Sequence, residues 1–440
     1  MDILAPTLAL HGGPRTVTRD PGDAFAWPIV TEEDEAAVLA VLRRGAMSDI
    51  DVTMAFEAEY AAWQGRSHAL AFANGTAALL AAMFAVGVGV GDEIICPSLT
   101  YWASALPAYS LGATVVFADI SPETLCIDPT DIEHRITPKT KAIVVVHYMG
   151  HPADMDAIMC VASRHGVPVL EDVSHAHGGL YRGQTVGNFG KVAAMSLMSG
   201  KSLPIGEGGI MVTDDREIYE RGVAFGHYRR FDDTIESESL RGYRRLPLGG
   251  IKGRMNQLSS AMGRVQLREY DGRAAEVREA INAFWDLLEG APGLRAHRVP
   301  PGGDSTMAGW YAAGGLYRPE ELGGLSVTRF AEAVHAEGSS CRPGINKPLH
   351  LHPLFNTCDV YGHGRPTRIA NTDRDVRQPP GSLPVSEGIG ARTYGIPQFK
   401  RYRPDVIEQH AAAYRKVAEN YAALLEGDRG NSPDLCGWGL

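Results

Sequence analysis

Met195-Ser-Leu-Met-Ser-Gly-Lys201-Ser-Leu-Pro-Ile-Gly-Glu-Gly-Gly-Ile-Met-Val212 closes one apolar segment on a lysine ringed by small residues. After the turn Gly206-Glu207-Gly208-Gly209 it opens another apolar run. A lysine in such a stretch is cramped. Desolvation disfavours its ammonium form, so its amine can be free near neutral pH and able to form a Schiff base with an aldehyde. A surface loop lysine is the competing reading of this stretch alone.

Upstream, Pro168-Val-Leu170 reads as a short buried strand that runs straight into Glu171-Asp172-Val-Ser-His175-Ala-His177-Gly178-Gly179. A carboxylate at the end of such a strand is where open α/β sheets place ligand contacts. Lysine and acid together suit pyridoxal phosphate (PLP), whose ring nitrogen needs a carboxylate beside it if the ring is to act as an electron sink. The two lie about thirty residues apart, which fits neighbouring strand ends. Asp172 as a helix cap in a turn is the alternative.

Around these stretches strands and helical segments alternate: Glu93 to Cys96, Thr114 to Phe117, Ala142 to Val146, Val192 to Met198 and Gly209 to Val212, with Met155 to His165 helical. Continuous apolar strands between helices predict an α/β fold with a mostly parallel sheet flanked by helices. Thr31-Glu-Glu-Asp34 predicts a helix start with a cap and acids in its first turn. Asn74-Gly75-Thr76 opens an Ala- and Leu-rich helix whose N-terminal amides and threonine hydroxyl suit a phosphate; it also reads as the plain cap of a core helix.

The expected organisation is an N-terminal arm over residues 1–30, a large domain over 31–292, a smaller C-terminal α+β domain over 293–426 and a loose tail over 427–440. In 226–253 periodicity fails and Arg229, Arg230, Arg241, Arg244 and Arg245 crowd among acids, which makes it a candidate substrate loop or a solvated charged one. Met255 to Leu288 predicts long helical stretches with a break at Asp271-Gly272.

The 440 residues are 44% apolar with a net charge of −10, which argues against nucleic acid as the main partner. No run of about eighteen apolar residues is present, so no membrane-spanning helix is expected. The N-terminus lacks the basic and apolar regions of a signal peptide, so cytoplasm is the expected compartment. Six cysteines are scattered without CxxC pairs and read as reduced. His350-Leu-His352 has a metal-compatible spacing, but no acidic or sulfur partner is evident nearby, and no metal is expected.

Taken together, Glu171-Asp172 through His177-Gly178 and Ser196-x4-Lys201 with Gly206-Glu-Gly-Gly209 resemble the DegT/DnrJ/EryC1/StrS aminotransferases, a fold-type I PLP family acting on keto-sugars and cyclitols. Asn74-Gly75-Thr76, Pro97-Ser98-Leu-Thr-Tyr101, Arg254-Met255 and Pro348-Leu-His350 extend the likeness over most of the chain. The resemblance implies that Lys201 binds the cofactor aldehyde and shuttles the proton, and that Asp172 partners the pyridinium. It implies that His175, where the family often has glutamine, meets the phenolic oxygen, and that Tyr101 stacks on the ring. Gly75, Thr76 and Ser196 match the phosphate cup. Gly250-Ile-Lys252-Gly-Arg254 departs from the family's Gly-Tyr-Asn-Tyr-Arg, and in a homodimer with shared active sites Lys252 would reach the neighbour's cofactor phosphate.

The implied activity is transfer of an amino group from glutamate or glutamine to a keto-sugar or keto-cyclitol in a biosynthetic pathway. A dehydratase or aromatising enzyme of the amino-hydroxybenzoate synthase type, and a PLP-binding regulator without turnover, are the alternatives.

Overall fold

In the computed structural model, which describes residues 7–435, 437 and 438, the runs of apolar residues become the strands of one large sheet. These are β1 (His68–Phe72), β2 (Glu93–Pro97), β3 (Thr114–Ala118), β4 (Thr140–Val146), β5 (Val169–Asp172), β6 (Val192–Ser196) and β7 (Gly209–Thr213). Their order is β1-β7-β6-β5-β4-β2-β3. From β6 to β3 all neighbours are parallel, while β7 runs antiparallel between β6 and β1. Successive residues point to opposite faces, so Ile94, Val115, Val144 and Leu170 enter one apolar layer and Ile95, Val116, Val145 and Val169 the other. A strand buried on both sides has to be apolar throughout, which is why these runs do not alternate.

Helices cover both faces. Thr31 starts α1 (Glu32–Arg43) through a reciprocal capping box with Asp34, as its sequence predicts. Asn74 Oδ1 accepts the Ala77 N–H at 2.9 Å and starts α2 (Gly75–Ala85). Asp154 caps α3 (Met155–His165), and Gly166 ends it in the left-handed region with φ 65°. Asp215 caps α4 (Arg216–Gly226). Helices α2 and α4 lie in the first apolar layer and α3 in the second.

The expected break at Asp271-Gly272 is absent: α5 runs unbroken over Gln257–Leu287. Gly272 faces open space, while Leu267, Tyr270, Val277, Ile281 and Phe284 continue one buried stripe past it. Burying each such side chain contributes about 1.5–3 kcal/mol, more than the ~1 kcal/mol that a helical glycine costs. This helix packs on α1 at one end of its run and on the last long helix at the other, so it joins the two parts of the molecule.

The second part is a four-stranded antiparallel sheet of β8 (Leu294–Ala296), β9 (Gly314–Tyr317), β10 (Arg342–Pro343) and β11 (Thr393–Gly395), in the order β8-β9-β11-β10. With α6 (Val327–Ala336) and α7 (Pro404–Glu419) it encloses its own core, built on Phe284, Tyr317, Phe330, Tyr394 and Tyr414. The N-terminal arm lies on this part: the Glu337 carboxylate accepts the Ala9 N–H at 2.8 Å and the Thr16 hydroxyl at 2.7 Å.

The tail is not loose where it is described. The Ser326 N–H and hydroxyl donate to Asp428 at 2.7 and 2.6 Å, and the Lys347 N–H donates to the Gly437 carbonyl at 2.7 Å. A polar, Gly-rich composition suggests mobility, but here loops of the second part present donors that the tail satisfies. Cys436, Gly439 and Leu440 lie outside the described residues. Among the described residues no helix is long and apolar enough to cross a membrane.

Candidate active site

Strand β5 ends on adjacent carboxylates, and the pleat separates them. Glu171 points into the protein, where it accepts the backbone N–H groups of Gly187, Phe189 and Gly190 at 2.7, 2.9 and 2.6 Å and lies 3.0 Å from His147 Nε2. It is a structural clamp. Asp172 turns to the cleft at the carboxyl ends of the strands. Its Oδ2 accepts the Ser104 hydroxyl at 2.7 Å and its Oδ1 the Ser174 N–H at 3.0 Å, and Thr100 Oγ1 lies 3.0 Å from Ser104 Oγ. The turn contact expected of a cap is thus present, and the carboxylate still lines the cleft.

Lys201 follows β6, the next strand in the sheet, so the topology brings it beside Asp172. Its side chain is 8% exposed. Burial pulls its amine down to about 8, with the Asp172 charge working in the opposite direction. Nζ sits 3.5 Å from the centre of the Tyr311 ring. That ring in turn lies against His175, with centroids 4.6 Å apart.

His175 is held well below its ordinary value by burial first and by the Lys201 and His177 charges next. Its Nδ1 accepts the Met149 N–H at 3.3 Å, which assigns the proton of the neutral ring to Nε2. A neutral donor is what a phenolate-type oxygen needs at that place.

The opposite wall is made by the end of β6 and the start of α2, with Gly209 of β7 packed behind the Asn74 turn. A Cβ on Gly75 would fall 2.6 Å from Ser196 Cβ, and one on Gly209 would fall 2.3 Å from the Asn74 carbonyl oxygen, so glycine alone permits these approaches. First-turn amides of a helix have no intrahelical acceptor. Those of Gly75 and Thr76 open on the cleft beside the Thr76 and Ser196 hydroxyls, a cradle of donors that fits a phosphate. Tyr101, 38% exposed, leaves a ring face available for stacking. The residues present therefore fit PLP at the phosphate, ring and aldehyde ends, in a cleft of about 950 Å³ including its mouth.

Seven of the eight residues expected from the sequence line this one cleft: Gly75, Thr76, Tyr101, Asp172, His175, Ser196 and Lys201. Lys252 is exposed and lies outside the cleft of its own chain. The segment 226–253 also lies outside this cleft: Arg230 is buried in a bidentate pair with Glu57 at 2.6 Å, and Arg244 and Arg245 face Asp232 at 3.8 and 3.2 Å. Sequence reasoning missed Ser104, Ser174, Tyr311, Asn346 and Glu207. Ser174 carried a usable signal, because it stands two residues after Asp172 and β5 continues towards it. His350 is bonded to Ser98 at 2.7 Å and, contrary to expectation, does have an acidic neighbour, Glu387 at 3.0 Å. No group of three or more metal-ligating side chains occurs among the described residues.

Buried neutral histidines give the protein an acid limit. Burial pulls His177 and His297 down to about 3 each. Below the unfolded-state value of about 6.5 the unfolded chain therefore binds protons that the folded chain refuses. Stability falls with falling pH by about 1.4 kcal/mol per pH unit for each such group, or about 2.7 for the pair, and levels off above about 6.5. Denaturant unfolding at pH 5, 6 and 7 checks this: a flat profile contradicts it, and His297→Gln, which keeps a donor for the Thr124 carbonyl, lowers the slope by about 1.4 kcal/mol per pH unit.

A desolvated amine, a buried carboxylate and a phosphate cradle, at the carboxyl ends of one α/β sheet carrying a second small sheet, define a PLP-dependent enzyme of fold type I. The chain belongs to the DegT/DnrJ/EryC1/StrS aminotransferase family, whose sequence profile matches residues 28–391, and it is a PLP-dependent aminotransferase. It is 37% identical over 307 residues to L-glutamine:2-deoxy-scyllo-inosose aminotransferase of Streptoalloteichus tenebrarius, covering 68% of this chain and 70% of that protein. It is 30% identical to L-glutamine:scyllo-inosose aminotransferase of Streptomyces griseus, over 94% of this chain and 98% of that one. The crystal structure of the aminotransferase from Psychrobacter cryohalolentis superposes with a TM-score of 0.77 at 28% identity, covering 91% of this chain and 99% of that one.

Proposed function

We propose that the protein moves the amino group of glutamine onto the ketone of a cyclitol in a biosynthetic pathway, as a cytoplasmic homodimer with shared active sites. One observation carries the reading: the Lys201 amine and the Asp172 carboxylate meet in a single cleft that also holds a phosphate cradle. Glutamine and a keto-cyclitol are the substrates named for the two relatives. When bound, PLP supplies an aldehyde that takes the donor's amino group and a protonated ring that draws electrons from the donor's α-carbon.

Within this reading Lys201 Nζ would hold the aldehyde and, once released from it, would carry the donor's α-proton. An amine with a value near 8 is unprotonated in about a tenth of molecules at pH 7, against about one in 2,500 for an ordinary lysine. Asp172, its two oxygens fixed by Ser104 and Ser174, would hold the proton on the ring nitrogen. His175 would donate Nε2–H to the phenolic oxygen, and Gly75, Thr76 and Ser196 would hold the phosphate.

The test is transfer of label from [α-15N]glutamine. Labelled aminocyclitol from a keto-cyclitol, and none from a nucleotide-linked keto-sugar, is the expected result. Labelled amino-sugar alone contradicts the acceptor class, and an unlabelled dehydrated product favours the aromatising chemistry.

Lys252 enters through the dimer. A cation at that place forms charge-assisted hydrogen bonds with a partner's dianionic phosphate. Lys252→Ala is expected to raise the apparent Kd for PLP about tenfold, a loss of roughly 1.4 kcal/mol, while turnover at saturating cofactor persists. Mixed dimers of Lys201→Ala and Lys252→Ala chains then regain one site with both lysines. At PLP near the wild-type Kd, no gain in activity over either mutant homodimer, with mixed dimers shown to form, counts against the shared site.

A further inference from the structure

The turn that carries Lys201 has no regular secondary structure, so individual contacts have to fix it. The Lys201 N–H donates to the Met198 carbonyl at 2.8 Å. Ser202 Oγ lies 3.2 Å from His177 Nδ1 and 3.3 Å from the Tyr270 hydroxyl. The Lys201 carbonyl oxygen accepts the indole N–H of Trp27 at 3.0 Å. Among the described residues, Trp27 is the one side chain hydrogen-bonded to the backbone of Lys201.

Trp27 belongs to the N-terminal arm, and the arm is bolted to the second part of the molecule. Besides Glu337, Gln409 accepts the Thr18 and Arg19 N–H groups at 2.9 and 3.1 Å, Arg19 pairs with Asp405 at 2.7 Å, and Arg403 pairs with Asp23 at 2.8 Å. Next to Trp27 the Lys400 N–H donates to the Ala24 carbonyl at 2.7 Å. The Lys400 amine is buried and lies 5.2 Å from the centre of the Trp27 ring, a cation–π contact. Among the described residues it has no carboxylate partner, so the indole face is what receives it. Tyr311, over which Lys201 Nζ rests, precedes β9 of the same second part. Both the backbone and the side chain of Lys201 are therefore placed by groups anchored outside the large sheet.

We propose that Trp27 is a positioning residue for Lys201. Its indole N–H sets the orientation of the Lys201 peptide and with it the reach of Nζ, and the arm ties that orientation to the placement of the second part. The inference rests on Lys201 being the catalytic lysine. Nζ stands at the end of a long side chain, so a modest peptide rotation displaces it by about 1 Å, and misplacement on that scale costs up to about 10²-fold in rate.

Trp27→Phe keeps an aromatic face for Lys400 and removes the donor. The expected kcat is about tenfold lower, the equivalent of about 1.4 kcal/mol. KM for glutamine stays within about twofold and the melting temperature within about 3 °C. In the cofactor-free protein, acetic anhydride labelling of Lys201 is followed against pH by mass spectrometry. The midpoint expected for the wild type is near 8, and in Trp27→Phe it rises by about half a unit or more as water enters the loosened turn. Trp27→His, which retains a ring N–H, regains part of the rate.

Unchanged kcat and labelling midpoint in Trp27→Phe overturn the proposal. So does a loss of rate that follows melting temperature while the midpoint stays fixed, since that is a merely structural role. Should Trp27→Phe fail to fold, Gln409→Leu loosens the arm at Thr18 and Arg19 without touching Trp27. It has to shift the Lys201 midpoint in the same direction, and an unmoved midpoint overturns the idea. Labelling needs neither cofactor nor substrate, so its result stands apart from the test of Lys201 as catalyst.

Discussion

Lys201→Ala ends turnover, with a fall of at least about 10⁴-fold in kcat, the upper range for removing a positioned proton carrier, and it abolishes the absorbance of the lysine-bound cofactor. The size follows from the double duty of one nitrogen. In the proposed mechanism Nζ both binds the aldehyde and carries the proton, and neither neighbour in the cleft replaces it: His175 is kept neutral with Nδ1 already engaged by Met149, and Tyr311 presents its ring face. Added ethylamine is expected to restore a small fraction of the rate as a diffusible base. A mutant with wild-type turnover and spectrum removes Lys201 from the mechanism.

Asp172→Asn keeps the cofactor and loses most of the rate, by about 10²–10³-fold, the range for removing one preorganised electrostatic partner. The amide is nearly isosteric: its oxygen still accepts the Ser174 N–H, and its NH2, standing in the place of Oδ2, donates to the Ser104 hydroxyl, which can turn its own hydrogen to Thr100, so the fold and the phosphate cradle are undisturbed. It lacks the charge that holds a proton on the ring nitrogen, and the electrons of the donor's C–H bond then have no sink. PLP retention measured by dialysis separates the two roles: full retention with low kcat is expected, and near-normal kcat reduces the carboxylate to a structural part.

Both carboxylate and lysine were legible because their places are dictated locally. A strand buried on both faces announces itself as an apolar run, and whatever polar group ends it must sit at the sheet's edge or in a cleft. The sequence does not by itself say which of Glu171 and Asp172 faces the cleft. That depends on the pleat and on the loop at Gly187 to Gly190, which returns three amides to Glu171. Asn74 was legible as the cap of α2, which it is; the residues of the same turn, read as suiting a phosphate, line the cleft.

Other parts were hidden for physical reasons. Tyr311 reaches Lys201 from the second part through Gly309 and Trp310, whose φ values are 81° and 32°; a Cβ at Gly309 would lie 2.6 Å from the His175 carbonyl oxygen. A segment shaped by close backbone approach carries no periodicity to read. Trp27 and the tail were invisible in the same way, since their contacts span more than a hundred and seventy and about ninety residues respectively. Arg230 shows the limit of charge patterning: amid a polar segment it is nonetheless buried on Glu57. The break expected at Gly272 failed because a glycine on the exposed side of a long helix does not interrupt the stripe on the buried side.

The central claim is tested most directly by adding L-glutamine alone to the purified, PLP-loaded protein and following the cofactor's spectrum. The account predicts conversion of the lysine-bound absorbance to that of pyridoxamine phosphate, with one equivalent of 2-oxo acid per site. An unchanged spectrum with glutamine, glutamate and every other amino donor tried would contradict it and leave a protein that binds the cofactor without turning it over.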